Sequence, residues 1–476
     1  MSYKAGVDKK QLSLLPVCLD DYIPEDHICR VISEFSGQLD MTELGYRYAE
    51  CKSTGCRPYD PRMMLNLYIY GYLHRIRSSR RLRDEAVRNV EVMWLLDGLT
   101  PDDKTICNFR KDNAKTLRET FRVFVRICRG LGLYGEELVA TDGSKFRANN
   151  SKKNTHGKEV VKNELERIDR KIDEYLKTLE QADEQEAGEK EAGKAELKAA
   201  LERLKERKIE YQELQTRIEK EGEVSTVDPD ARLMRSGGDG RSIDSGYNAQ
   251  TVVDGKYHLI VDFEVTQCSA DSGELYRMSQ RAKEELEVEE LTNLADRGYY
   301  DGQEMAACEE SGVACLVAKK KTGGEKKAEG FTLDSFVYDE GNDWYVCPCG
   351  NRLAYCGDKK RNGRKYRRYA NYKACVRCQR RPDCTRYRNR EIDRLPYQGI
   401  YDIIDKRTLA NKALYRKRKE IVEHPFGTVK AVWGYKQFLC RTLEKVTAEL
   451  SLAYLAYNMR RVVNIFKESR LKPVFA

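Results

Sequence analysis

The sequence predicts a multidomain α/β protein, and three observations carry that prediction. Short apolar runs that end in an aspartate alternate with amphipathic helical patterns across residues 136–157 and 223–330. Between them, residues 158–222 place apolar side chains at steps of three and four with charge almost everywhere else, the pattern of paired helices. Residues 331–400 are rich in cysteine and basic residues and have no long apolar run. A chain of 476 residues exceeds one ordinary core, so roughly two to four domains are expected.

Composition narrows the class. The chain is 40% hydrophobic and 34% charged, which suits a soluble globular protein. No run approaches the about eighteen apolar residues of a membrane span, and the opening MSYKAGVDKK lacks signal-peptide character, so a cytoplasmic protein is expected. Sixteen cysteines in a chain this long do not make a secreted disulfide scaffold; in a reducing compartment they are thiols or metal ligands. The net charge of +9 is unevenly placed: Lys359 to Arg390 holds fourteen Lys or Arg against one acid, Asp383. Basic clusters with interleaved tyrosine, as in RKYRRYANYK (364–373), suit a polyanion. Lys and Arg displace counterions from phosphates, and tyrosine rings stack on unpaired bases. Arg364, Arg367 and Arg368 are the DNA-binding candidates there, and HRIRSSRRLRDEAVR (74–88) is a second basic cluster.

Residues 1–135 read as a compact basic helical domain, of the kind that docks on DNA or serves as a dimerisation module. PRMMLNLYIYGYLHRI has helical spacing behind Pro61, RRLRDEAVRNVEVMWLLDG ends in a glycine stop, and Asp102-Asp103 offers a cap before two further helices. Residues 136–157 begin a sheet. In 158–222, Leu165, Ile168, Ile172, Tyr175 and Leu179, then Leu197, Leu201, Leu204, Tyr211, Leu214 and Ile218, form the seam of an antiparallel coiled-coil hairpin inserted into that sheet. Residues 223–330 continue the sheet. Asp254-Gly255 between two β-rich runs signals a hairpin, and a helix, a strand with its tip at Asp296, a helix and a strand follow. Residues 401–476 close the chain with a basic helix and a long final helix.

Two strand tips carry chemistry. Leu138-Val139-Ala140 leads into Thr141-Asp142-Gly143, and Leu294-Ala295 leads into Asp296 and a glycine-bearing turn. Carboxylates on neighbouring tips repel unless a cation lies between them, and Mg²⁺ or Mn²⁺, which take oxygen ligands, meet that need. Two such ions about 4 Å apart activate an attacking oxygen and stabilise a leaving one in phosphodiester cleavage. The best third carboxylate is Glu423, behind the basic run YRKRK, with Glu420 one turn earlier as its competitor. His424, beside Glu423, adds little by itself.

The blocks VATDGSKFRAN, TVDPDARLM, GYNAQTVVD, ADRGYYD and RKRKEIVEHPFGTVK resemble those of bacterial insertion-sequence transposases of the DDE type. RPYDPRMMLNLYIYGYL through TPDDKTICNFRK resembles the N-terminal domain of that family, and the resemblance spans about residues 15–465. It implies an RNase H-like catalytic core in which Asp142, Asp296 and Glu423 form the triad. Lys430, seven residues after Glu423, matches the family's basic residue, while the Arg four residues before that Glu is here Lys419, with Arg416 and Arg418 nearby. Lys is the weaker bidentate phosphate partner, so Arg416 or Arg418 takes that contact. Gly143 is then expected to let the chain leave the strand tip without shielding Asp142.

CPCG (347–350), CVRC (375–378) and Cys384 fit tetrahedral structural zinc, with Cys347, Cys375, Cys378 and Cys384 as ligands and Cys349 or Cys356 as replacements for one of them. The resulting reading is a DNA transposase with Mg²⁺ or Mn²⁺ at its triad. It acts in the bacterial nucleoid on double-stranded DNA, both element terminal repeats and target, as a homodimer or larger complex. A nuclease of the same fold without strand transfer, and a non-enzymatic zinc-containing DNA-binding protein, are the competing readings.

Overall fold

The computed structural model describes residues 18–50, 57–184, 191–236, 242–319, 331, 333–361 and 364–468. They fall into two compact units: Met1–Gly135, Asp142–Ala270 and Ile421–Ala476 form one, and Glu136–Thr141 with Asp271–Glu420 the other.

The first unit opens with α1 (Ile28–Gly37), α2 (Pro61–Leu73), α3 (Ser79–Arg88), α4 (Val90–Leu95), α5 (Asp103–Asp112) and α6 (Ala114–Gly130). Their starts follow from sequence. Asp60 caps α2 by accepting from the Arg62 amide, with Pro61 in the first turn, and Asp102 caps α5 by accepting from the Thr105 amide. The strand β1 (Leu138–Arg147) follows and gives its second half to this unit. Next come β2 (Thr155–Gly157), the arm helices α7 (Lys158–Glu184) and α8 (Glu191–Glu221), and β3 (Glu223–Ser225). The arm's base is a small core of Val161, Ile218 and Val224 with Leu165, Tyr211 and Leu214. Arg207–Glu164 and Lys208–Asp169 ion pairs, at 3.0 and 2.7 Å, tie the two helices. The arm's connection, 185–190, lies outside the described residues.

The strands β4 (Arg232–Ser236), β5 (Ser242–Asp254) and β6 (Ile260–Thr266) pair antiparallel in that order, the last two forming the hairpin turned after Asp254. β5 also lies beside β1. Here the structure corrects the expectation at Gly143. β1 does not leave the sheet after Asp142 but runs on to Arg147, held extended by its neighbour, and the Ala148 amide then donates to Ser245 O at 2.9 Å. Gly246 makes the close approach possible, since a β-carbon there would stand 2.4 Å from Phe146 O.

The second unit takes Leu138–Thr141 of β1, then α9 (Leu275–Leu286), β7 (Leu291–Ala295), α10 (Gly302–Glu310) and β8 (Val313–Val317). β1 pairs parallel with β7, and β7 parallel with β8. A second sheet of five antiparallel strands follows: β9 (Val337–Asp339), β10 (Trp344–Val346), β11 (Arg352–Arg361), β12 (Arg364–Ala370) and β13 (Glu391–Arg394), with α11 (Tyr372–Val376) and α12 (Arg381–Cys384) between the last two. Its core is Phe336, Tyr345, Leu353, Tyr369 and Ile392. α13 (Gln398–Ala410) buries Ile404 against Leu275, Tyr299, Met305, Cys308 and Val317. α14 (Lys412–Phe426) gives residues to both units.

In the first unit α14 runs into a π-helical turn, Gly427–Val432, and α15 (Leu443–Glu468) ends the described chain. α15 is buried nearly all round from Ala448 to Met459, as suits a helix packed on α2, α6 and β6 together. The mixed α/β class holds. No helix among the described residues is long and apolar enough to cross a membrane.

Candidate active site

In the second unit, the parallel register pairs Thr141 with Ala295. Asp142 follows Thr141 within β1, and Asp296 is the first residue past the end of β7. A buried polar network holds this register: the Thr141 hydroxyl donates to Asn293 Oδ1 at 3.0 Å, and Asn293 Nδ2 donates to Ser279 Oγ at 2.8 Å. Asp296 is half-buried and caps the short turn Arg297–Tyr299, its Oδ1 accepting from the Gly298 amide at 2.5 Å. A β-carbon on Gly298 would lie 2.8 Å from Asp296 Oδ1 and 3.2 Å from Asp271 Oδ2. Two carboxylates therefore share this glycine, and the sequence reading missed Asp271. Nothing in SADSGEL sets that aspartate apart from an ordinary loop acid; its placement comes from the fold.

Tyr415 on α14 donates its hydroxyl to Ala295 O at 3.2 Å, one residue before Asp296. Burial raises its pKa, Arg418 opposes the rise, and the negative charge of Asp296 adds to it. Tyr415 thus stays a neutral donor that ties α14 to the end of β7. Arg418 is half-buried beside it, while Arg416 and Lys419 are exposed.

In the first unit, Asp142 is half-buried on β1 and Glu423 is exposed on α14. Glu420, its competitor, is exposed as well. The next residue, His424, turns to α15, its Nδ1 2.7 Å from the Tyr457 hydroxyl, which itself donates to His258 O at 2.7 Å. Burial lowers the His424 pKa, with Arg461 and His258 adding to the shift. Pro425 and the π turn follow. They carry Lys430 back to β1, where Nζ donates to Ser144 Oγ at 2.8 Å and Lys145 O at 2.6 Å and lies 4.5 Å from the Phe146 ring centre. Burial pushes its pKa from 10.5 down to about 8, Lys436 adding a little. Lys430 is a strut from the π turn to β1 rather than a side chain extended to solvent.

The other DNA-binding candidates are placed unevenly. Arg367 pairs with Asp343 at 2.6 Å, and Arg368 pairs with Asp393 and Glu391 at 3.2 Å each. Arg364 opens β12, and its side chain lies outside the described residues. Within the 74–88 cluster, Arg77 turns inward to Gln437 O at 2.8 Å, and Arg83 and Arg88 pair with Asp84 and Glu85.

Five cysteines, Cys347, Cys349, Cys375, Cys378 and Cys384, line one small cavity of the second unit. Cys349 Sγ and Cys378 Sγ are 3.9 Å apart, and the Asn351 amide donates to Cys347 Sγ at 3.3 Å. Burial raises the Cys384 pKa, Arg390 opposes it, and the thiols of Cys375, Cys347 and Cys378 add to the rise. Cys356 stands elsewhere, against Arg368 O and the Tyr372 hydroxyl, so of the two replacement ligands only Cys349 joins the cluster. Even so, no three His, Cys, Asp or Glu side chains among the described residues converge as a ready ligand set for one ion.

Residues 17–112 match a family model described as Transposase domain (DUF772), and residues 223–459 match one described as Transposase DDE domain. Both describe transposases, the enzymes that move segments of DNA. The chain belongs to the insertion-sequence transposases of the DDE type. Asp296 and Glu423 fall inside the second match, and Asp142 lies outside both. No curated protein matches. One solved structure, a piggyBac transposase synaptic complex with hairpin DNA, matches at 8% identity over 94% of this chain and 75% of that chain. Its TM-score of 0.34 is too low to bear on the fold or the site.

Proposed function

We propose that this transposase cuts and joins DNA with Asp142, Asp296 and Glu423 on an RNase H-like core. The observation that carries the proposal is the register of β1 on β7: Thr141 and Ala295 are partners, and an acid follows each. The parallel order β1–β7–β8 and the antiparallel hairpin β5–β6, with β5 beside β1, agree with such a core. The donors are hard carboxylate oxygens, the set that Mg²⁺ or Mn²⁺ takes, and Asp271 adds a carboxylate beside Asp296. When bound, the ions supply charge stabilisation to the attacking and leaving oxygens.

The chain's own residues do the rest. Arg416 or Arg418 on α14 holds the scissile phosphate, its guanidinium in bidentate fashion, with Lys419 adding charge before Glu423. Tyr415 fixes that helix to the strand end. Water attacks the phosphorus and leaves a strand with a 3′-hydroxyl; that hydroxyl attacks a target phosphodiester, and the target strand's own 3′-oxygen departs. The helical segment of α1–α6 would read the element's terminal repeats. Two ends must meet, so the chain would work in the nucleoid as a dimer or larger complex. Zinc held among Cys347, Cys349, Cys375, Cys378 and Cys384 would staple the small five-stranded sheet.

The test is cleavage and joining of labelled DNA carrying the element's own ends, with Mg²⁺ and with EDTA. Asp142→Asn, Asp296→Asn and Glu423→Gln should each lose about 10³-fold or more in rate while still binding DNA, since several kcal/mol of charge stabilisation goes with the ions. Equal activity in all four proteins would refute the triad, and cutting without joining would make the chain a nuclease.

A further inference from the structure

The cysteine-rich sheet carries two basic faces of different character. On β11 and β12 four of the cations are already held by acids. Lys365 pairs with Asp358 at 2.8 Å, Lys359 with Asp393 at 3.1 Å, and Arg367 and Arg368 with the acids named above. Arg367 also lies over the Tyr355 and Tyr369 rings. A cation held by a carboxylate releases fewer counterions when a phosphate arrives, so this face is a weak polyanion surface.

Residues 372–390 differ. Lys373, Arg377, Arg381, Arg386 and Arg388 are all exposed and make no ion pair among the described residues. The one acid of the stretch, Asp383, is taken by Arg380 at 2.8 Å. Arg390 turns inward to Cys384 O and lies over the Phe336 ring. Amid these cations stands Tyr387, 82% exposed, the most exposed of the large apolar side chains described. Tyrosine rings are usually half or more covered, and this one has arginine on either side in sequence. Unpaired, exposed cations and an open ring within one short stretch of chain are the makings of a stacking platform for nucleic acid: the charges follow the backbone and the ring takes a base face. A surface that met only duplex backbone would gain nothing from the ring.

We propose that this face docks DNA at a place where a base is unpaired, with Tyr387 stacked on that base and the five cations on flanking phosphates. The proposal rests on the transposition reading and adds to it a contact outside the carboxylate site and outside β11–β12. On that reading strand cleavage leaves cut ends whose terminal bases fray, so the substrate itself offers such a base.

The experiment is equilibrium binding of the full chain to a labelled blunt duplex and to the same duplex with a single-stranded tail, across a salt series. Labelled poly-glutamate is the third probe. Replacing Lys373, Arg377, Arg381, Arg386 and Arg388 together by serine should flatten the logarithmic salt dependence by about four, close to 0.7–0.9 per lost phosphate contact. Tyr387→Ala should weaken the tailed duplex roughly 5- to 150-fold and leave the blunt duplex unchanged, and Tyr387→Phe should bind as the wild type does. A five-site variant with a native circular dichroism spectrum and the wild-type salt slope would overturn the proposal. So would Tyr387→Ala binding the tailed duplex normally, or wild-type chain binding poly-glutamate in preference to DNA. If the wild type binds neither DNA, the transposition reading fails; if it binds both and only these variants are silent, this face alone is refuted.

Discussion

Lys430→Met is the substitution with the most distinctive expected result. In the folded chain Lys430 titrates at about 8, against 10.5 for a free lysine, chiefly because its half-buried position disfavours the charge. That displacement corresponds to about 3 kcal/mol against the charged form. Below pH 8 both the folded and unfolded states carry the proton, and the penalty is present in full. Between pH 8 and 10.5 the folded state loses its proton first, the unfolded state binds more protons, and stability rises with pH by up to about 1.4 kcal/mol per unit. Above 10.5 the rise is complete. At pH 7 the methionine removes the penalty but gives up the bonds to Ser144 Oγ and Lys145 O, about 1 kcal/mol each, so stability there should stay within roughly 1–2 kcal/mol of the wild type. The assay is urea unfolding of both proteins, under reductant, at intervals from pH 7 to 11. The wild type should gain about 3 kcal/mol on the variant across that range. Parallel pH profiles would refute the reasoning and put Lys430 in solvent.

Three further outcomes are expected. Gly246→Ala should destabilise the first unit by about 2–4 kcal/mol in thermal unfolding, because the new carbon would stand 2.4 Å from a backbone carbonyl that cannot swing away. Arg118→Met should cost about 1.5–3 kcal/mol, since it removes a charged hydrogen-bond partner of the fully buried Asp262 carboxylate and a guanidinium stacked 3.9 Å from the Phe263 ring centre; a change under about 0.5 kcal/mol would show that the carboxylate is satisfied without it. Purified chain should contain about one zinc ion. Cys349→Ser and Cys378→Ser should lower that metal content and Cys356→Ser should not, and equal content in all three would dismiss the cavity as the site.

What the sequence made legible was local. Pro61 and Asp102 announce helices because a helix start is settled within about four residues: Pro61 stands in the first turn of α2, and Asp102 caps α5. The hairpin after Asp254 was readable for the same reason. The misreading at Asp142-Gly143 was non-local: an Asp-Gly pair favours a turn, but a neighbouring strand, β5, holds β1 extended past it. The tyrosines of RKYRRYANYK show the same limit. Interleaving with arginine suggested base stacking, yet Tyr369 is fully buried, packed edge-on against Tyr345 and hydrogen-bonded to Asp343. Asp343 lies far away in sequence, so neither the aromatic core nor the Arg367 ion pair could be seen in the motif. The cysteine spacing gave the cluster but not its membership: Cys349 lies in the turn before β11 and Cys356 within β11, and only the fold brings the first to the cavity.

The buried network of Thr141, Asn293 and Ser279 bears on why the site is built as it is. None of these side chains does chemistry, and aliphatic residues would fill the same space with less desolvation. What they add is a preference for one pairing. In a parallel pair of strands an apolar face tolerates sliding, whereas a one-residue slip turns every side chain to the opposite face of the sheet. Here a slip of β1 against β7 would also break the Thr141–Asn293 bond and leave buried polar atoms without partners, at about 1–3 kcal/mol each. The network therefore sets the register of Thr141 against Ala295, one residue before the two acids proposed above as ion ligands, where a slip would matter most to that proposal. Such a device leaves little mark in the sequence: a threonine, an asparagine and a serine on three separate elements become a lock only once β1, β7 and α9 are packed together.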